Sequence, residues 1–271
     1  MNQPDKAGSR SIDVSIAIDA PVEPVWQAIA EPAQLANWFP LEAQGGQGQG
    51  AAVTLSWGPD MAWTTYVTVW EPGRRVQWGN PDDASDAQLV DFTVETDGAR
   101  TVVRLVHSGF GAGADWDDQF DGTLAGWTYF LLNLKHYVEQ HRGTRRAMVW
   151  TRQKLSGARA AAWTRMFGDD GLVLCPLAQA RAGADVAVDL GGQVPYSGRF
   201  EMVTDINGRA NNVAVRLPTL GDALLFVELE PGAADPSCGI WLSTYGLDAA
   251  QVARMQADLT DRVARVVSGC H

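Results

Sequence analysis

The chain has 271 residues, 46% hydrophobic and 20% charged, which excludes a disordered tail or a fibre and allows one large or two modest domains. Its net charge of −11 is uneven, with eight basic and 19 acidic residues before residue 143 and 13 of each after it; neither half offers a basic face for nucleic acid or an anionic membrane. No apolar run approaches the ~18–20 residues that span a bilayer, and residues 1–6 lack a basic, then apolar, leader pattern, so the expected location is cytoplasmic.

Residues 12–19 alternate apolar and polar side chains at period two, the pattern of a half-buried strand. Ala20-Pro21 breaks it. A short helix is predicted next, with Pro24 in its first turn and Val25, Trp26 and Ile29 as its apolar face. Glu31-Pro32 ends that helix, and a second short one carries Leu35, Trp38 and Phe39. Residues 44–50 read as a flexible turn. Strands are then expected at about 51–57, 62–71, 74–79, 87–96 and 101–108, divided by the turn pairs Gly58-Pro59, Pro72-Gly73, Asn80-Pro81 and Asp97-Gly98. Such a run of short strands makes an antiparallel meander. Phe120, Leu124, Trp127, Leu131, Leu134 and Val138 recur at helical spacing and predict a long amphipathic helix over 120–140.

The second half repeats this order: a strand at 147–155, a helix at 158–167, then strands near 184–190, 196–206, 210–217, 222–230 and 238–245. Asn207-Gly208 marks a hairpin turn, and a closing helix is predicted at about 248–267, with Val252, Met255, Leu259 and Val263 on one side. Trp26 and Trp163 lie 137 residues apart, as do Gly109 and Gly246, while Gly73 and Gly208 lie 135 apart. That recurring offset predicts a tandem duplication, with domains at 1–142 and 143–271. The expected class is α+β, each domain an antiparallel sheet wrapped around a long C-terminal helix. A helix is ~10–12 Å wide, whereas a six- or seven-stranded sheet at ~4.8 Å per strand is ~30 Å across. The uncovered concave surface must be filled by side chains or left as a pocket.

Several stretches then stand in a telling order: Ala20-Pro21-Val22-Glu23-Pro24-Val25-Trp26, Ala36-Asn37-Trp38-Phe39, and Val69 to Trp78 with its Trp70-Glu71-Pro72-Gly73 core. Leu105-Val106-His107-Ser108-Gly109-Phe110 and Gly126-Trp127 follow. Over residues 11–142 the chain resembles the Aha1-type branch of the START-like (helix-grip, SRPBCC) superfamily. The second half resembles it faintly, keeping Ala162-Trp163 without the other stretches, as a degenerate second copy would. The resemblance implies a helix-grip fold with a hydrophobic cavity between sheet and long helix. Members use it for ligand binding, occasionally for catalysis, and some eukaryotic members stimulate the Hsp90 chaperone.

Eight of the eleven tryptophans precede residue 143. Core packing explains such rings, and so does a ring-lined cavity. His107 shares a strand face with Val103 and Leu105, opposite Arg104, and so points inward. It is an orienting hydrogen-bonding group, a structural histidine or, as the sole catalytic candidate, a general base. His136 and His141 are five apart, which turns the second ring ~140° away on an α-helix; both are expected to be exposed near the helix end, and no metal is predicted. Asp115, Asp117, Asp118 and Asp121 fail the calcium-loop pattern and read as carboxylates favoured at a helix start. The glycines at 45, 46, 48 and 50 form no nucleotide fingerprint, and Cys175, Cys238 and Cys270 have no metal-like spacing; no cofactor is predicted. The expected function is binding of a small apolar or aromatic ligand. Trp63, Trp78, Phe92, His107, Phe110, Trp127 and Leu131 would line its space, with Trp38 near the mouth. The rivals are a cyclase, dehydratase or hydrolase using His107, and an Hsp90-associated protein.

Overall fold

The structure, a computed structural model, describes residues 9–58, 61–80, 88–155, 158–229 and 237–268. Pro59 and Pro81 of two predicted turns, and Cys270, lie outside these. The chain forms two compact units, Met1–Phe120 with Gly126–Gly143, and Thr144–His271 with Asp121–Ala125.

In the first unit β1 (Ser9–Ile18) leads through α1 (Val22–Ala30) and α2 (Pro32–Leu35) to β2 (Glu42–Gly45), β3 (Ala52–Ser56), β4 (Ala62–Glu71), β5 (Arg75–Gly79), β6 (Leu89–Asp97) and β7 (Arg100–Gly111). The long helix α3 (Asp117–His136) follows and runs into a π-helical turn, Tyr137–His141. The seven strands lie in the order β1-β7-β6-β5-β4-β3-β2, a meander closed by the return of β1 to β7. β2 takes Gln44 and Gly45 from the expected turn at 44–50, whose remaining residues are irregular as expected: glycines and glutamines hide its periodicity, yet Ala43 pairs with Leu55 and extends the sheet by one short edge strand.

One face of this sheet carries Val53, Leu55, Val67, Val76, Trp78, Phe92, Val94, Val103 and Leu105, all buried. The other carries ion pairs, Asp13 with Arg104 and Arg75 with Asp91, so the alternation is apolar-in, polar-out. Arg104 thus faces outward, as the alternation predicts. α3 lies over the apolar face and is tied to β1 at both ends. At its start Arg10 donates to Asp117 Oδ1 at 2.7 Å and to the Gly111 carbonyl at 2.9 Å, with its guanidinium 4.6 Å from the Phe120 ring. At its end Lys135 Nζ donates to the Ala17 carbonyl at 3.0 Å, and Glu139 accepts from the Asp19 amide at 2.7 Å. Asp117 and Asp118 occupy the first turn of α3, where the positive end of the helix favours carboxylates.

The second unit repeats the plan with β8 (Arg146–Lys154), α4 (Arg159–Arg165), β9 (Asp185–Val188), β10 (Tyr196–Ile206), β11 (Ala210–Leu217), β12 (Ala223–Leu229), β13 (Ser237–Tyr245) and α5 (Ala249–Ser268). Its order β8-β13-β12-β11-β10-β9 again returns the first strand to the last. Both sheets therefore have the helix-grip topology, as a tandem duplication requires. Asn207 and Gly208, with φ of 53° and 67°, form the hairpin turn between β10 and β11, as this residue pair predicts. Leu259, Val263 and Val266 of α5 share one contiguous buried, mostly aliphatic cluster with Leu225, Val227 and Ile240 of the sheet and with Met166, Leu172 and Val173 from the segment after α4; Trp163, Phe167 and Phe200 belong to it too.

Candidate functional site

The apolar face of the first sheet holds a titratable ring on β7, the strand next to the edge strand β1. His107 sits on β7 opposite Val90 of β6 and Ile12 of β1, and only 8% of it is exposed. Just beyond it the β1–β7 register shifts: Ile12 pairs with His107 but Arg10 with Phe110. Ser108 and Gly109 thus oppose the single residue Ser11, a β-bulge. Gly109, at φ 95°, supplies the backbone conformation that other residues resist. Residues 107 and 110 would lie on opposite faces of a regular strand; the bulge turns both inward, with ring centroids 4.7 Å apart.

The partner of His107, which the sequence could not name, is Trp127 on α3. Its indole Nε1–H donates to His107 Nδ1 at 2.9 Å. Burial pushes the His107 imidazole down to about 4, because charging it in this apolar setting has no compensating partner. The ring is neutral near pH 7.

From Trp127 a chain of rings leads outward. Trp127 stacks on Phe39 at 4.8 Å, Phe39 meets Trp57 edge-on at 5.0 Å, and Trp57 stacks on Trp63 at 4.6 Å and 11°. Trp63 pairs with the inward-facing Leu55, so it lies on the inner side of the sheet, yet it is 48% exposed. An inward-facing indole that is half in water marks an open rim. Phe39 is the hub, touching Trp38, Trp57, Trp78, Trp127 and Phe130. Its position is set by a polar corner. Trp38 Nε1 donates to the Ala28 carbonyl at 2.8 Å, Asn133 Nδ2 to the Trp38 carbonyl at 2.6 Å, and the Tyr137 hydroxyl to Gln34 Oε1 at 2.6 Å.

The eight residues singled out from the sequence therefore have different surroundings. Trp63 is at the rim; His107 and Trp127 are bonded to each other at the inner end of the ring chain. Trp78 and Leu131 are buried beside it. Phe92 and Phe110 are fully enclosed at 0% exposure, so they back the inner rings. Trp38, expected near the mouth, is also 0% exposed and held by its indole N–H; this corrects the expectation, because the α2 corner folds over it. Sequence reading did not single out Phe39, Trp57 or Phe130 as lining rings. The spacing of Phe130 three residues after Trp127 was the available signal.

The histidine pair is a second correction. The π-helical turn at Tyr137–His141 bonds i to i+5, which brings residues five apart onto one side. The His136 and His141 rings lie 5.0 Å apart, and His136 is buried. Among the described residues no three His, Cys, Asp or Glu side chains group as metal ligands. Cys175 is half-buried and Cys238 buried, and among the described residues no helix is long and apolar enough to cross a membrane.

Residues 19–139 match the family described as Activator of Hsp90 ATPase homolog 1-like protein, and that span contains strands β2 to β7, the ring chain and the His107–Trp127 pair. Over this segment the chain is similar to that family. Among solved structures the chain is similar to the Aha1 dimer from Colwellia psychrerythraea, at 24% identity over 49% of this chain and 99% of that one, TM-score 0.44. It is also similar to DynU16, a protein in the dynemicin biosynthetic locus, at 20% identity over 95% of this chain and 97% of that one, TM-score 0.42. CalU16 from Micromonospora echinospora matches at 23% identity over 48% and 76%, TM-score 0.39. None of these carries a function over to this chain, and no curated protein matches it.

Proposed function

We propose that the first unit binds a small, largely apolar, aromatic ligand between its sheet and α3. The ligand would enter at the Trp57–Trp63 rim and reach toward Trp127 and His107. The observation that carries this reading is the half-exposed Trp63 on the inner side of the sheet, continuous through stacked rings with a buried polar side chain. Apolar walls with few convergent polar groups are the usual make-up of small-molecule sites. Rings supply affinity by burial and stacking, and His107 supplies orientation. The geometry favours this over catalysis by His107 as a base, because the lone pair a base would use is already engaged by Trp127.

Titration of intrinsic tryptophan fluorescence with planar aromatic compounds, alongside native mass spectrometry of the purified protein, tests the reading. Trp63→Ala should weaken binding by about tenfold, since one stacking contact is worth ~0.5–1.5 kcal/mol and tenfold is ~1.4. Its exposure means the fold should survive. Binding that is unchanged by Trp63→Ala would remove the rim from the proposal.

A further inference from the structure

We infer that the first unit selects uncharged ligands bearing a neutral hydrogen-bond acceptor, such as a ketone, quinone or ether oxygen, which receives a hydrogen bond from His107 Nε2. The inference rests on the binding reading above and adds the chemistry of the ligand.

The argument begins with the indole. Trp Nε1–H can only donate, so the nitrogen it approaches at 2.9 Å, His107 Nδ1, must be the unprotonated one. A neutral imidazole carries one proton, which then sits on Nε2. The tautomer is fixed by contact, whatever the pH at which the ring titrates. Nε2 is the ring nitrogen that the indole leaves unbonded, and His107 retains 8% exposure; in this inference Nε2 is the one donor in a wall of rings.

The surroundings then set the charge of what can bind. The inner-face neighbours of His107 are Leu105 on its own strand and Ile12, Val90 and Phe92 on the adjoining ones, and the rings beside it belong to Phe110 and Trp127. None can balance a buried carboxylate or ammonium, and an unpaired buried charge is strongly disfavoured. Protonating His107 to greet an anion would set its new Nδ1–H against the indole N–H. A neutral acceptor meets neither penalty.

Three probes sharing one tricyclic frame test this: fluorene, 9-fluorenone and fluorene-9-carboxylate, titrated at pH 7.5 by tryptophan fluorescence. Fluorenone should bind at least tenfold tighter than fluorene despite being less apolar, and the carboxylate weaker than both. In His107→Leu the ketone's advantage should shrink to within twofold while fluorene binding changes little; His107→Gln, which retains an N–H donor, should recover part of it. Should these variants fail to fold, long-range proton–nitrogen correlation spectra of the wild type give the same answer. They should show His107 protonated at Nε2, with that proton shifting downfield on adding fluorenone and not fluorene. Equal affinity for fluorene and fluorenone, tightest binding of the carboxylate, or a proton found on Nδ1 would overturn the inference and leave the binding site standing. No binding of any probe up to its solubility would overturn the binding reading itself, and this inference with it.

Discussion

His107 shows how much one contact can decide. Burial holds its imidazole at about 4 against an ordinary 6.5. Between those values the unfolded chain takes up a proton that the folded chain refuses, so stability falls as pH drops through this window, and this loss is complete below about 4. A shift of this size is worth at most ~3 kcal/mol. Urea unfolding at pH 7 and pH 4.5 should show a smaller pH dependence in His107→Phe than in the wild type; an equal dependence would mean that the imidazole is solvated. That His107 faces inward was legible from the alternation along its strand. That Trp127 is its donor was not, because the two residues meet across a helix–sheet contact whose rotation no local pattern specifies.

At the scale of elements, two local irregularities reshape what regular periodicities predict. The bulge at Ser108-Gly109 aims both His107 and Phe110 inward, and it depends on a φ of 95° at Gly109. Gly109→Ala should destabilise the protein by about 1–2 kcal/mol, since a side chain resists that conformation. Chemical denaturation gives the loss, and a near-ultraviolet spectrum should report altered tryptophan packing. The π-turn after α3 does the same for His136 and His141, placing side by side two rings that an α-helix would separate. The strands themselves were legible because hydrophobic alternation and turn pairs are local signals: Asn207-Gly208 and the apolar positions of β6 and β7 identify themselves. β2 was not, because its four residues carry little side-chain pattern and are held by the pairing of β3.

At the scale of the molecule, one topology appears twice with two different interiors. The first unit lines its inner face with rings that continue to a half-exposed rim, and the second buries a mostly aliphatic cluster around Val263 and Leu259 that also holds Trp163, Phe167 and Phe200. We expect one ligand per chain; native mass spectrometry with 9-fluorenone should show a single bound copy at saturation, and two copies would place a second site in the aliphatic unit. The asymmetry is visible in composition, since eight of eleven tryptophans precede residue 143. The sequence by itself determined the order of elements, the inward faces of the strands and the doubling of the plan, because each follows from spacing along the chain. Only the tertiary structure decided which rings touch, which stand at the rim, and which nitrogen of His107 holds its proton. Those depend on bulges, a π-turn and the rotation of α3, and they are set by packing among residues far apart in the chain.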